Sequence, residues 1–370
     1  MSEGGIRKLT MPKWGLTMTH GRVVQWLVPE GAEVEAGAEI VDIETEKIAS
    51  AAEAPAGGIL RRQVAREGDL VPVAGLLGVI AGPDVTDEQI DALVEGFFAT
   101  FVPPEAVASD PAFRRVDVGG RSLRYLERGD GGEPVLLLHG FGGDLNNWLF
   151  NHEALAATRS VYAIDLPGHG ESSKDVGDGT IISLAEVVDG FMVAIGLSKA
   201  HLIGHSLGGG VALGQALANP GRVSSISLIA STGLGPEIDT EFVDGFAGAQ
   251  RRREIRPHLE KLFADPSRVT RQLVDDVLKF KRLDGVGDAL RRVAGKLIVD
   301  GRQALIVRDH IMEVSAPVMV IWGTEDRIIP ASQAEGFGDA ARVAIIEGAG
   351  HMAQMEAASE VNRLIEEFLG

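Results

Sequence analysis

The spacing of apolar and polar positions divides the chain into stretches with two different rhythms. In residues 1–82, apolar residues form short runs at 21–28, 39–44, 58–64 and 76–81, separated by Gly and Pro turns. That spacing predicts strands of a small all-β unit. From residue 113 the pattern changes. Runs at 115–118 and 122–127, joined by Gly119-Gly120, predict a hairpin, and compact apolar runs follow at 135–138, 161–165, 201–204, 225–229, 318–322 and 343–346. Such runs fit strands buried on both faces of a mostly parallel sheet, with helices between them. Ligands of these sheets bind beyond the carboxyl ends of the strands. Residues 234–310 break the rhythm with helical segments and few strand signals, as a cap inserted over a site does.

Residues 83–112 read as a helical connector. Thr86-Asp87-Glu88-Gln89 is a capping box, Ile90, Leu93, Val94, Phe97, Phe98 and Phe101 follow at helical spacing, and Pro103-Pro104 ends the run. A helix with this many phenylalanines is expected to pack onto one of the two domains it joins. The boundaries are therefore 1–82, 83–112 and 113–370.

The all-β stretch repeats itself at an offset of 37 residues: Gly21 matches Gly58, Glu30-Gly31 matches Glu67-Gly68, and Val34, Ile40 and Ile43 match Val71, Leu77 and Ile80. Two copies of one half are expected to interlock. Lys47, in Asp42-Ile43-Glu44-Thr45-Glu46-Lys47-Ile48-Ala49, falls on the hairpin joining the halves. A lysine on an exposed turn is ordinarily a solubilising charge; on a pseudo-symmetry axis it is a candidate attachment point.

Composition narrows the function classes. The 370 residues carry no cysteine, which excludes disulfides, a thiolate nucleophile and cysteine-ligated metal. No apolar run is long enough to span a membrane, and the start of the chain, with Glu3 and Lys8, lacks the apolar core of a signal peptide; a cytoplasmic location is the expectation. The formal charge of −18 argues against a general nucleic-acid binder. Residues 234–310 are the exception, with 15 Lys+Arg against 13 Asp+Glu, a local +2.

Candidate chemistry centres on Gly204-His205-Ser206-Leu207-Gly208. Apolar 200–203 precede it, helix-forming 211–218 follow, and Asn219-Pro220 provides a stop. Strand, tight turn and helix around a serine form a nucleophile elbow, whose glycines allow close backbone approach. A serine hydroxyl needs a base oriented by a third group. Asp326, in Trp322-Gly323-Thr324-Glu325-Asp326, and His351, in Gly348-Ala349-Gly350-His351, each follow a predicted strand and give the order Ser206, Asp326, His351. Glu325 is the alternative acid; His139 and His205 read as structural. Leu138-His139-Gly140-Phe141-Gly142-Gly143 is expected to offer the Phe141 amide, with that of Leu207, as an oxyanion hole. Asp165 is expected to tie its strand to the loop that follows. No metal site is expected.

Residues 1–82 resemble the lipoyl-domain family, through Met11-Pro12-Lys13-Trp14-Gly15 and the Glu44-Thr45-Glu46-Lys47 tetrapeptide. The resemblance implies a flattened β-barrel or sandwich with lipoate in amide linkage on Lys47. The related biotinyl domains place methionines beside their lysine, where this chain has Glu46 and Ile48. Residues 113–370 resemble the α/β-hydrolase family. Together the two parts are similar to a narrower family, the acetyltransferase components of bacterial acetoin dehydrogenase complexes. That resemblance implies transfer of an acetyl group from a dihydrolipoyl thioester on Lys47 to coenzyme A. It also implies a thiamine-diphosphate-dependent acetoin dehydrogenase component and dihydrolipoamide dehydrogenase as partners, and leaves room for a homo-oligomer. The longer Ala/Pro-rich linkers, the small subunit-binding domain and the His-x-x-x-Asp-Gly signature of the usual dihydrolipoyl acyltransferases are not found.

Several alternatives stay open in the sequence. Acyl transfer through Ser206 and direct attack by a thiol deprotonated by His351 are both compatible with it. Coenzyme A carries phosphates, so Arg251-Arg252-Arg253, with Arg256, Lys279, Lys281, Arg282, Arg291, Arg292 and Lys296, are candidate phosphate ligands. Interleaved acids equally suggest solvated helix faces. With water as acceptor the same residues would make a thioesterase or carboxylesterase, and without chemistry the chain would be a lipoyl carrier and scaffold.

Overall fold

A computed structural model describes residues 5–14, 18–45, 49–103 and 113–370. Contacts divide the chain into two units, Met1–Pro111 and Ala112–Gly370. Lys47 lies outside the described residues.

In the first unit the strands are β1 (Ile6–Thr10), β2 (His20–Trp26), β3 (Glu33–Val34), β4 (Glu39–Glu44), β5 (Ala49–Glu53), β6 (Gly58–Gln63), β7 (Leu70–Pro72) and β8 (Leu76–Ala81). They form two antiparallel four-stranded sheets, ordered β5-β4-β2-β7 and β1-β8-β6-β3. The sequence repeat explains the exchange: each half gives its short strand, β3 or β7, to the sheet built on the other half. The symmetry extends to side chains. Glu30 accepts the Gln63 amide at 2.6 Å, and its counterpart Glu67 accepts the Trp26 amide at 3.4 Å. A Cβ on Gly21 would stand 2.7 Å from the Ile43 side chain, and one on Gly58 would stand 2.9 Å from that of Ile80, the matching pair. Ile40, Ile43, Leu60, Leu77 and Ile80 fill the space between the sheets.

The connector helix α1 (Asp87–Thr100) starts at the expected capping box, with the Gln89 amide donating to Thr86 Oγ1 and the Thr86 amide to Gln89 Oε1. It packs on the outer face of β8, where Ile90, Leu93, Val94 and Phe97 cover Leu76 and Val79. Arg61 and Arg62 of β6 pair with Asp87 and Asp91, each at 2.8 Å. Phe97 stacks on Phe101 at 4.8 Å, but Phe98 is 57% exposed. One residue is about 100° of helix, enough to carry it off the packed face.

The second unit opens with β9 (Arg114–Val118), β10 (Arg121–Arg128), β11 (Val135–Leu138), α2 (His152–Ala156), β12 (Val161–Ile164), α3 (Ile181–Ala194), β13 (Ala200–His205), α4 (Leu207–Ala218) and β14 (Val223–Ile229). Four helices follow: α5 (Thr240–Gly248), α6 (Arg252–Lys261), α7 (Arg271–Lys281) and α8 (Val286–Leu297). A short hairpin, β15 (Ile298–Val299) and β16 (Arg302–Gln303), precedes β17 (Val318–Gly323), β18 (Arg342–Ile346), α9 (Ala353–Glu356) and α10 (Ala358–Leu369). The main sheet has eight strands in the order β18-β17-β14-β13-β11-β12-β10-β9, parallel from β18 to β12 and antiparallel at the β10 and β9 end. The first crossovers place β11 and β13 side by side at the centre, with Leu138 opposite Gly204. Helices α5 to α8 lie in the chain between β14 and β15. Each has an apolar stripe, as in α8, where Val286, Leu290, Val293 and Leu297 are buried.

Candidate active site

Ser206 stands where β13 turns into α4, with φ 53° and ψ −117°, a region disfavoured for a residue with a side chain. The surrounding bonds impose it. The Ser206 amide donates to the Ile229 carbonyl at 3.0 Å, and the Ser206 carbonyl accepts the Gly209 and Thr232 amides at 3.0 and 3.1 Å. Both flanking glycines are sterically required: a Cβ on Gly204 would lie 2.4 Å from the Gly208 oxygen, and one on Gly208 would lie 2.1 Å from the Leu138 oxygen.

Asp326 follows β17 and His351 follows β18. His351 Nδ1 lies 2.8 Å from Asp326 Oδ2; because the carboxylate only accepts, the imidazole carries its proton on Nδ1 and leaves Nε2 as the basic nitrogen. Asp326 Oδ1 accepts the Ile328 and Ile329 amides at 2.8 and 3.0 Å, which fixes the carboxylate. Both side chains are buried, whereas Glu325 is exposed. The two acids are adjacent in sequence, and only Asp326 meets the imidazole.

Ser206 and His351 line one cavity together with Phe141. Among the described residues, neither the Phe141 nor the Leu207 amide meets a hydrogen-bond acceptor. Gly140 lets the Phe141 loop close down, since a Cβ there would lie 2.7 Å from His205 Nδ1. The rest of the cavity wall is apolar and comes mainly from the inserted helices and the segments beside them, through Phe242, Phe246, Leu259, Phe263, Val277 and Met352. Asn147 is the one amide side chain in the lining among the described residues.

His205, His139 and His169 are buried near the site. His205 Nε2–H donates to the His351 carbonyl at 2.9 Å, and burial, reinforced by the neighbouring His351, holds its pKa well below the usual value. His139 Nδ1–H donates to the Gly140 carbonyl and its Nε2 accepts the Leu166 amide; burial again lowers its pKa. His169, which has no motif to mark its role, stands edge-on to both His139 and Phe141, and burial lowers its pKa to about 3. Asp165 ties strand to loop as expected: Arg124 Nε donates to it at 2.7 Å, as do the Leu145 and Glu171 amides at 2.9 and 2.8 Å.

Several cationic residues of the inserted segment have partners of their own. Arg252 makes a two-pronged bond to Asp275, Arg251 lies 3.8 Å from Glu254, and Arg256 pairs with Glu260. Lys281 donates to the Phe246 and Ala247 carbonyls and lies over the Phe246 ring; burial lowers its pKa to about 8. Arg291 pairs with Asp288 and Arg292 donates to the Gly177 carbonyl. Arg251, Arg252 and Arg253 are all exposed.

Glu356 has a role that no sequence motif announces. Its carboxylate accepts the Ala264 amide through Oε1 and the Gly350 amide through Oε2, both at 2.8 Å, and burial raises its pKa. Nothing in the preceding Met352-Ala353-Gln354-Met355 marks that role.

Comparison with known proteins agrees with this architecture. Residues 133–358 match the alpha/beta hydrolase fold family and residues 7–80 match the biotin-requiring enzyme family. The chain is 49% identical over 367 residues to the dihydrolipoyllysine-residue acetyltransferase component of the acetoin cleaving system of Pseudomonas putida, covering 98% of each chain. It is 45% identical over 365 residues to the protein of that name from Cupriavidus necator, covering 99% of this chain and 98% of the other. Among solved structures, the meta-cleavage product hydrolase of Pseudomonas fluorescens IP01 matches with a TM-score of 0.63 and 25% identity, over 69% of this chain and 96% of its own. Both units are thus matched at once by proteins of a single kind, and the chain belongs to the family of dihydrolipoyllysine-residue acetyltransferase components of acetoin cleaving systems, built on the alpha/beta hydrolase fold.

Proposed function

We propose that the chain transfers an acetyl group from a dihydrolipoyl thioester to coenzyme A, with Ser206, His351 and Asp326 as catalytic residues and lipoate carried on Lys47. The observation that carries this reading is the near end-to-end similarity to two acetyltransferase components, across both units of the chain. Strands β4 and β5, which flank Lys47 in the sequence, pair out to Glu44 opposite Ala49. The lipoyl group, when bound, supplies the thiol that bears the acyl group.

The residues around Ser206 account for the rest. His351 Nε2 removes the Ser206 proton as Oγ attacks the thioester carbonyl, and the Phe141 and Leu207 amides hold the oxyanion. As the carbon–sulfur bond breaks, His351 returns the proton to the departing thiolate. Coenzyme A then gives its thiol proton to His351 while its sulfur attacks the acyl-serine; the ester bond breaks and Ser206 regains the proton. Asp326 stabilises the imidazolium at both stages. An apolar wall disfavours water and leaves the ester for the thiol. Arg251, Arg252 and Arg253, all exposed, are the phosphate ligands in this reading. The boundaries 1–82, 83–112 and 113–370, with a cap over 234–310, delimit carrier, connector and catalyst. The chain works in the cytoplasm beside a thiamine-diphosphate-dependent acetoin dehydrogenase component and dihydrolipoamide dehydrogenase.

A hydrolase is the second reading, favoured by relatives such as the 2-hydroxy-6-oxononadienedioate/2-hydroxy-6-oxononatrienedioate hydrolase of Dechloromonas aromatica, 33% identical over 284 residues. Incubation with S-acetyl-dihydrolipoamide separates the two. Acetyl-coenzyme A as the main product, with little acetate, is expected; equal acetate release with and without coenzyme A gives the hydrolase. A serine-directed fluorophosphonate is expected to label Ser206, and a failure to do so would leave only the scaffold.

A further inference from the structure

The wall of the cavity at Ser206 is mainly apolar side chains. Geometry at the reacting carbon says which part of an acyl donor meets that wall. With the carbonyl oxygen on the Phe141 and Leu207 amides and the sulfur near His351, which protonates it, the acyl tail must point at the remaining walls. Those walls are apolar side chains such as Phe242, Phe246, Leu259 and Val277. No lysine, arginine, aspartate or glutamate lines the cavity among the described residues.

Resting on the transfer reading, we propose that the chain also transfers longer neutral acyl groups, unbranched and of about four to six carbons, whose tails these walls bury. Burial of each added methylene is worth about fourfold in affinity, so a longer tail offsets the loss of fit around a small one. A carboxylate-bearing tail finds no countercharge and is excluded. The bonds made and broken are those of acetyl transfer: the acyl–sulfur bond is exchanged for the Ser206 ester and then for a new acyl–sulfur bond, and the thiol proton passes through His351.

The test uses the full chain with free S-acetyl-, S-butyryl-, S-hexanoyl- and S-succinyl-dihydrolipoamide as donors and coenzyme A as acceptor. Butyryl and hexanoyl transfer is expected at no less than about one-tenth of the acetyl kcat/KM, with succinyl about a hundredfold below butyryl. Val277→Phe is expected to lower the hexanoyl-to-acetyl ratio about tenfold or more by filling the cavity. Acetyl transfer with butyryl transfer below about a hundredth of it overturns the proposal and leaves the transferase reading standing. Should no donor be transferred, the transferase reading fails and the cavity is read by the nitrophenol burst from p-nitrophenyl acetate, butyrate and hexanoate. A burst rate held or rising with chain length supports the acyl cavity; one falling about a hundredfold from acetate to butyrate overturns it.

Discussion

The two units bury very different things. Between its sheets the first unit encloses aliphatic side chains, and none of its described residues buries a polar or charged side chain. In the second unit Arg124, Asp165, His139, His152, His169, His205 and His351 are buried. A carrier needs only a rigid body to present an attachment point, whereas a catalyst must keep polar groups dry and oriented, and each of those groups is a liability when its charge changes. Reactivity and acid sensitivity therefore reside in the same half of the chain.

The sharpest way to test this division is to disable each half separately. Ser206→Ala is expected to lower transfer from free S-acetyl-dihydrolipoamide by about a millionfold in kcat while leaving modification of Lys47, read by intact mass, unchanged. Lys47→Arg is expected to do the reverse, removing the added lipoyl mass and sparing turnover of the free donor. Asp326→Asn comes next. The asparagine amide can present a donor where His351 Nδ1–H needs an acceptor, so kcat should fall about ten-thousandfold with the fold retained by circular dichroism.

Acid should distinguish the units without any mutation. Burial holds the pKa of His139 and His205 below the usual value and lowers those of His152 and His169 to about 3. Between about pH 6.5 and 3 the unfolded chain therefore binds protons that the folded unit refuses, and stability falls as pH drops through that window. Hydrogen exchange followed by mass spectrometry should show 113–370 losing protection at a higher pH than 5–103. Simultaneous loss in both units would remove the contrast. Gly21→Ala should act in the opposite place, destabilising the first unit by about 1–3 kcal/mol through contact with Met11 and Ile43. Calorimetry should show one transition lowered and turnover of the free donor unaffected.

Legibility followed the same division of labour. The repeat at 37 residues disclosed two interlocked halves, because a symmetric pair of sheets needs the same glycine and isoleucine in each half, but not that β3 and β7 are the strands exchanged. Ser206, Asp326 and His351 stood out because a parallel sheet delivers residues at strand ends to one edge, so chain order alone groups them. The partner of Arg252 was not legible, because sequence shows its charge but not Asp275 across the gap between α6 and α7. The identity of the cavity wall was also hidden: which face of α5, α6 or α7 meets Ser206 depends on how helices pack on one another, and an apolar stripe does not name its neighbour. Glu356 was invisible because its two partners are backbone amides, which leave no mark in the sequence. Glu356→Gln should have the smallest effect, about threefold in kcat, because one amide loses a strong acceptor while the other keeps its bond.

That carboxylate has a mechanical consequence. Glu356 holds Ala264 on one side and Gly350 on the other, and the Met352 amide donates to the Leu262 carbonyl at 3.1 Å. The residues just before and just after His351 are thus both stitched to the end of the segment that roofs the cavity. Any motion of 262–264 wide enough to change the mouth must loosen the seat of the imidazole, so the door and the engine share one hinge pin.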